Sequence, residues 1–245
     1  MGNDHLEVQW QKLSEPWIKE SRNGPNANRS GLLDEPMLSA CGSVIERDVL
    51  DSGCGEGRFC RMLRSLGARE VVGVDLCSEM ISAARELQSE GEEYIQANVE
   101  DLSFLENKSF DLSVSYLNQC DLRDWKSNTR EVYRVLRKGG KFVVCNLHPM
   151  RSATGYWEKD SNGAKKHVIL DDYFRQEERT WKMMGVELTN FHRTLEAYVS
   201  GFMDIGFSLE GLQEPSVTEE NLQKYPILED ELRVPNFIIF KLLKP

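Results

Sequence analysis

Three glycines, Gly53, Gly55 and Gly57, follow Asp51 in the stretch DVLDSGCGEGRFC, Asp48 to Cys60, between a short apolar run and a basic, helix-prone segment. Backbone without side chains at such a turn lets a ligand approach closely. Three ligands compete for it. A nucleoside triphosphate calls for Gly-Lys where Arg58 and Phe59 stand. A dinucleotide calls for its third glycine where Arg58 stands, and Gly57 comes one residue early. Asp51 would repel a pyrophosphate and attract a ligand with a cationic amine. The other residues suited to chemistry are scattered. Six cysteines form no C-x-x-C pair and no zinc-like cluster with the four histidines, so no metal is expected, and the thiols read as reduced and cytosolic.

These residues need a frame. Residues 1 to about 47 are polar and loop-rich, with amphipathic pieces around Trp10 to Ile18 and Leu32 to Cys41, and read as an N-terminal cap. From Asp48 the pattern becomes DVLDSG as a strand, Arg58 to Leu66 as a helix closed by Gly67, and EVVGVDL as a buried strand. Ser78 is expected to cap a helix through about Gln88. EYIQANV and FDLSVSYL read as strands, TREVYRVLRKGG as a helix ended by Gly139, and KFVVCNL as a fifth strand. This alternation predicts right-handed crossovers and a parallel sheet covered on both faces. Residues of about 149 to 192 break the rhythm and read as a substrate-side insertion. A helix is expected from Thr194 to Gly206, then two strands, FSLEGLQE and NFIIFKLL, paired antiparallel at a sheet edge with no helix between them.

VLDSGCGEGR followed by VVGVDLCSEMISAAR resembles the first two motifs of class I S-adenosylmethionine-dependent methyltransferases, and ANVEDL, FDLSVSYL and RVLRKGGKFVV resemble later ones in order. The resemblance covers about Asp48 to Cys145. It implies an α/β, doubly wound, mostly parallel seven-stranded sheet with an antiparallel last strand pair, the Rossmann-like methyltransferase fold, in a domain spanning residues 48–245. It also implies a cofactor site. Ser52, Gly53, Cys54 and Gly55 would pass under the methionine part of S-adenosylmethionine with Asp51 near its ammonium. Asp75 would accept both ribose hydroxyls, Leu76 and Met80 would sandwich the adenine, and Asn98, Val99 and Glu100 would flank its edge. The family commonly has Asp where Asn98 stands, and the amide oxygen still accepts from an amine. Tyr116 and Asn118 would line the space around the sulfonium.

The sulfonium methyl is already electrophilic, so the protein need only hold a nucleophile in line, dry and close. A base helps if the acceptor is a hydroxyl, a carboxyl or a protonated amine. His148, in NLHPM, and His192, in NFHRTLEAY, fall where a substrate would lie, and each reads either as base or substrate contact or as a hydrogen-bonding cap. A similar HP and HRTL-like run occur in a bacterial subgroup of small-molecule methyltransferases. Arg29 could pair the methionine carboxylate or an acidic substrate, and Trp157 either packs the insertion or contacts substrate. Asp171 and Asp172 read as a solvated turn rather than metal ligands.

Lys plus Arg total 30 against 40 Asp plus Glu, a net charge of −10, which argues against nucleic acid or an acidic membrane as partner. No apolar run approaches membrane-spanning length, and the cytoplasm is the expected location. The leading expectation is methyl transfer to an oxygen or nitrogen of a small metabolite. A cofactor-binding regulatory or assembly protein without catalysis, and a nicotinamide oxidoreductase, are the alternatives.

Overall fold

The computed structural model describes residues 4–153 and 156–245. The first three residues of the expected cap, and Thr154 and Gly155 of the expected insertion, lie outside them. The chain enters through helix α1 (Asp4–Arg22), one continuous helix despite Pro16, then a π-helical turn (Arg29–Leu33) and α2 (Asp34–Cys41). The central run is β1 (Asp48–Ser52), α3 (Arg58–Ser65), β2 (Glu70–Asp75), α4 (Ser78–Glu86), β3 (Glu92–Gln96), β4 (Phe110–Tyr116), α5 (Trp125–Val135) and β5 (Leu136–Leu147). A short α6 (Pro149–Ala153) leads to two hairpins, β6 (Tyr156–Lys159) with β7 (Lys165–Ile169), and β8 (Glu178–Met183) with β9 (Val186–Phe191). The chain continues through α7 (Leu195–Ile205), β10 (Ser208–Gln213), α8 (Glu219–Lys224), a 3₁₀ turn (Pro226–Leu232) and β11 (Phe237–Leu243).

Seven strands form one sheet in the order β10-β11-β5-β4-β1-β2-β3. From β3 to β5 the pairs are parallel, whereas β11 runs antiparallel to both β5 and β10. Period-two alternation sorts the core into two layers. Val49, Val143 and Ile239 face one side with Leu33, Met37, Phe59 and Leu63 of the helices. Leu50, Val144 and Phe240 face the other with Val132, Tyr198 and Phe202. There the Trp125 ring meets Tyr198 at 5.0 Å and Phe202 at 5.2 Å, both edge-on.

The expected elements are present with shifted boundaries. Ser78 is the first helical residue, and Cys77 occupies the cap with its amide on the Asp75 carboxylate. Helix α5 begins earlier than expected because Asp124 caps it, accepting from the Ser127 amide at 3.0 Å. It ends at Val135, and Gly139 sits instead where the β4 to β5 register shifts, its amide bonded to the Lys244 carbonyl. The loop expected between the last two strands holds α8, which buries no residue and so leaves no apolar stripe to read.

Candidate functional site

Parallel strands place their carboxyl ends together, and β1, β2 and β4 bring Ser52, Asp75 and Tyr116 to one edge. The glycine turn after β1 is pinned there, because the Gly53 and Cys54 amides both donate to the Val74 carbonyl, at 2.8 and 3.0 Å. Gly53 has φ +87, and a side chain there would reach within 2.1 Å of Asn118 Cγ. Only glycine satisfies both conditions. The Asp75 carboxylate is aimed by two backbone donors, the Gly55 amide at 2.8 Å on Oδ2 and the Cys77 amide at 2.9 Å on Oδ1. Burial nonetheless raises its pKa, with those amides opposing.

Beside this turn opens a cavity of about 570 Å³. Its lining includes Arg29, Asp51, Gly53, Cys54, Gly55, Asp75, Leu76, Met80, Asn98, Val99, Tyr116 and Asn118. Twelve separate expectations from the sequence thus meet at one place. Asp51 is 1% exposed, and burial pushes its carboxyl up to about 7, with the Cys60 thiol opposing and the Asp75 charge adding to the rise. Its Oδ2 accepts from Cys60 Sγ at 3.2 Å, whereas Oδ1 has no partner. Asn118 Nδ2 is likewise buried and unpartnered. A buried acceptor and a buried donor left unpaired cost free energy until a ligand meets them. An ammonium fits the first, and an S-adenosylmethionine molecule carries one.

The wall beyond the turn is stiff. Asp34 takes Arg58 in a bidentate pair at 2.8 and 2.9 Å and accepts from the Tyr116 hydroxyl at 3.0 Å. Burial lowers the Arg58 pKa, but Asp34 more than offsets it. The Tyr116 ring also meets Phe59 edge-on at 5.1 Å. Arg29 stacks 4.9 Å over Trp17 and donates to Ser21 Oγ at 2.9 Å, while burial and the nearby Arg58 lower its pKa.

Five expected residues lie elsewhere. Ser52 Oγ is fully buried and accepts from Asn128 at 2.9 Å. Glu100 bonds the Asp124 amide and, through its own amide, Asn98 Oδ1, so it orients Asn98 from behind. Trp157 lies under Arg233 at 4.4 Å in a separate groove with Lys166 and His167. His148 and His192, each expected either as base or substrate contact or as a hydrogen-bonding cap, do not line the cavity. His148 Nδ1 accepts from the Met150 amide and Nε2 meets Glu214 at 2.9 Å. His192 Nε2 donates to the Tyr173 carbonyl at 2.8 Å, and Nδ1 meets Ser152 Oγ at 2.7 Å. Both ring nitrogens of each are engaged within the fold, and burial lowers both pKa values, with Glu214 opposing for His148.

Of the rest of the lining, Asn28 reads from the sequence with Arg29 as a loop that could close over the cofactor and Trp181 as insertion core or substrate contact, and most of the others carry no such signal. Helix α1 lays Leu6, Trp10 and Trp17 across the cavity, held by a double hydrogen bond between Gln9 and Thr189 and by Arg22 on Glu86 and the Ala83 carbonyl. Trp181, Met183 and Met184 come from the β8-β9 hairpin, and Asp121, Arg151, Asn190, Glu231 and Asn236 also line the cavity. The one available signal was Asp121, an acid placed just beyond β4 at the same sheet edge as the glycine turn. Among the described residues, no group of three or more His, Cys, Asp or Glu is arranged to hold a metal ion.

Comparison with known proteins matches the part of the chain that contains the glycine turn. Residues 50–144 match the family model described as "Methyltransferase domain". An S-adenosylmethionine-dependent methyltransferase from Mesorhizobium loti superposes with TM-score 0.79 and 29% identity, covering 89% of this chain and 98% of that one. The malonyl-[acyl-carrier protein] O-methyltransferase of Salmonella typhimurium is 42% identical over 132 residues, 51% of this chain and 49% of its own. The arsenite methyltransferase of Aquipseudomonas alcaligenes is 34% identical over 173 residues, 58% of this chain and 47% of its own. The chain thus spans about half the length of these two relatives. Residues 50–144 thus carry a methyltransferase domain, and the fold and the order of its motifs are those of class I S-adenosylmethionine-dependent methyltransferases.

Proposed function

We propose that the protein transfers a methyl group from S-adenosylmethionine to an oxygen or nitrogen of a small metabolite. The observation that carries the cofactor half is the buried, unpartnered Asp51 Oδ1 beside Gly53, where no side chain fits. The cofactor, when bound, supplies an electrophilic methyl on a sulfonium. Gly53, Cys54 and Gly55 run beneath its methionine part, and Asp51 accepts from its ammonium. Asp75 accepts from the ribose hydroxyls, with its orientation already set by two backbone amides. Leu76 and Met80 flank the adenine, with Asn98 and Val99 at its edge. Tyr116 and Asn118 border the reacting carbon, and Arg29 neutralises the methionine carboxylate.

Residues 1–47 serve as a cap and the insertion at about 149–192 as the acceptor wall, which leaves an enclosed space suited to a small molecule. The named relatives act on chemically unlike acceptors, so the shared frame is silent on the acceptor. Six unpaired thiols accord with a reducing, cytoplasmic location.

The test is calorimetric titration with S-adenosylmethionine, S-adenosylhomocysteine and NAD side by side. The first two are expected to bind and NAD is not. Asp75→Ala is expected to weaken the first two by about 1–3 kcal/mol. Unchanged affinity would remove the ribose assignment.

A further inference from the structure

Beyond the glycine turn the cavity carries more carboxyl groups than the cofactor can use. Asp121 stands one 3₁₀ turn after Asn118, the residue packed on Gly53, and so borders the place where a methyl acceptor must sit. Its Oδ1 is fixed by the Asn190 side-chain amide and the Cys120 thiol, and Oδ2 has no partner among the described residues. Glu231, on the 3₁₀ turn before β11, also lines the cavity and is 7% exposed. Asn236 donates to its Oε1, while its Oε2 is buried without a partner. Neither acid belongs to a family motif quoted above.

The charge balance selects the acceptor. Asp121 and Glu231 bring two potential negative charges and Glu7 of α1 a third, against the positive charges of Arg151 in the lining and of Arg193, which acts on Asp121 from outside it. A carboxylate acceptor would add an anion to this set, and a neutral hydroxyl would leave the excess uncompensated. An ammonium compensates it and brings three donors to acceptors that lack them. Trp181 supplies an aromatic face of the kind that favours cations.

We infer that the acceptor is an organic amine, anchored by Glu231 and deprotonated by Asp121. This rests on the methyl-transfer reading and narrows its acceptor atom to nitrogen. The ammonium passes one proton to the Asp121 carboxylate. The freed nitrogen lone pair then forms the N–C bond as the methyl C–S bond breaks, its electron pair going to sulfur. The products are the methylated ammonium and S-adenosylhomocysteine, and Asp121 returns its proton to solvent. Burial pushes the Asp121 carboxyl up to about 7, with the Cys120 and Asn190 hydrogen bonds opposing, which suits a group that takes and returns a proton near neutral pH.

The test uses the full chain loaded with S-adenosylhomocysteine and titrated with three probes that share one apolar body, 2-phenylethylamine, 4-ethylphenol and 3-phenylpropionate. The amine is expected to bind at least about tenfold more tightly than the other two, and Glu231→Gln to remove that preference. With labelled S-adenosylmethionine, methyl is expected on the amine, slowed about 10²-fold or more in Asp121→Asn. Both variants are expected to keep wild-type affinity for S-adenosylhomocysteine, which shows that they fold. Amine binding no tighter than that of the phenol or the acid, absent binding included, overturns the proposal while leaving methyl transfer standing. Failure of S-adenosylhomocysteine itself to bind overturns the reading beneath it and the proposal together.

Discussion

Asp51→Asn should act on stability and on ligand binding with opposite signs. Burial holds the Asp51 carboxyl at about 7 in the fold, against about 3.9 in an unfolded chain. An acid whose folded pKa is raised binds its proton more tightly when folded. Its contribution to stability is therefore present at low pH and is lost as pH rises through the folded value. Linkage across that window gives about 2 kcal/mol lost between about pH 5.5 and about pH 8.5. Asparagine cannot titrate, so the variant lacks this loss. Asp75 and Asp121 titrate in both proteins and largely cancel in the difference. Urea unfolding of the two proteins, without ligand, at both pH values measures it, and the wild type should lose about 2 kcal/mol more than the variant over the interval. In calorimetry at about pH 8, the variant should bind S-adenosylmethionine more weakly by about 1.5–3 kcal/mol, the scale of a hydrogen bond to a charged group. A pH-independent stability difference would refute the buried, uncompensated carboxylate. Unchanged affinity would refute its ammonium role.

Gly53→Ala places a methyl group against Asn118 at a backbone conformation that only glycine adopts freely, so S-adenosylmethionine affinity should fall at least about tenfold by calorimetry. Wild-type affinity would show that the turn can relax. His192→Ala removes hydrogen bonds to Ser152 and the Tyr173 carbonyl, and should lower unfolding free energy by about 1–3 kcal/mol with cofactor affinity unchanged. Full stability with lost turnover would restore this histidine as a base.

What was legible in the sequence was local. The glycine turn, Asp75 and Met80 lie within thirty residues of one another on consecutive elements, so their order alone brings them together. The β-branched run of β2 and the fully buried β1 carry their own signal, since both faces of the sheet are covered. The rest of the cavity lining is assembled largely from α1, α6, the β8-β9 hairpin and the turn before β11. Nothing in any one of those segments announces that packing will join them. The two readings of His148 and His192 stayed open in the sequence for the same reason. Their positions near the sheet edge were right, but the partners that occupy their ring nitrogens, Glu214 and the Tyr173 carbonyl among them, come from segments with no motif. The α5 start at Trp125 was readable from Asp124, an acid at a cap, and was lost to the stronger apolar stripe farther on.

The position of β11 has a consequence for how the chain is made. Strand β10 touches the sheet only through β11, which follows it in sequence and carries Ile238, Ile239 and Phe240 into the core without exposure. As synthesis proceeds, β10 and the growing edge of β5 emerge with no partner for their backbone groups. Both must wait for Phe237–Leu243 before either can zip. The glycine turn and its neighbouring strands are complete long before that moment, so a nascent chain would own its cofactor frame while still exposing two raw edges, the stage at which a chaperone, or a second unfinished copy, has something to grip.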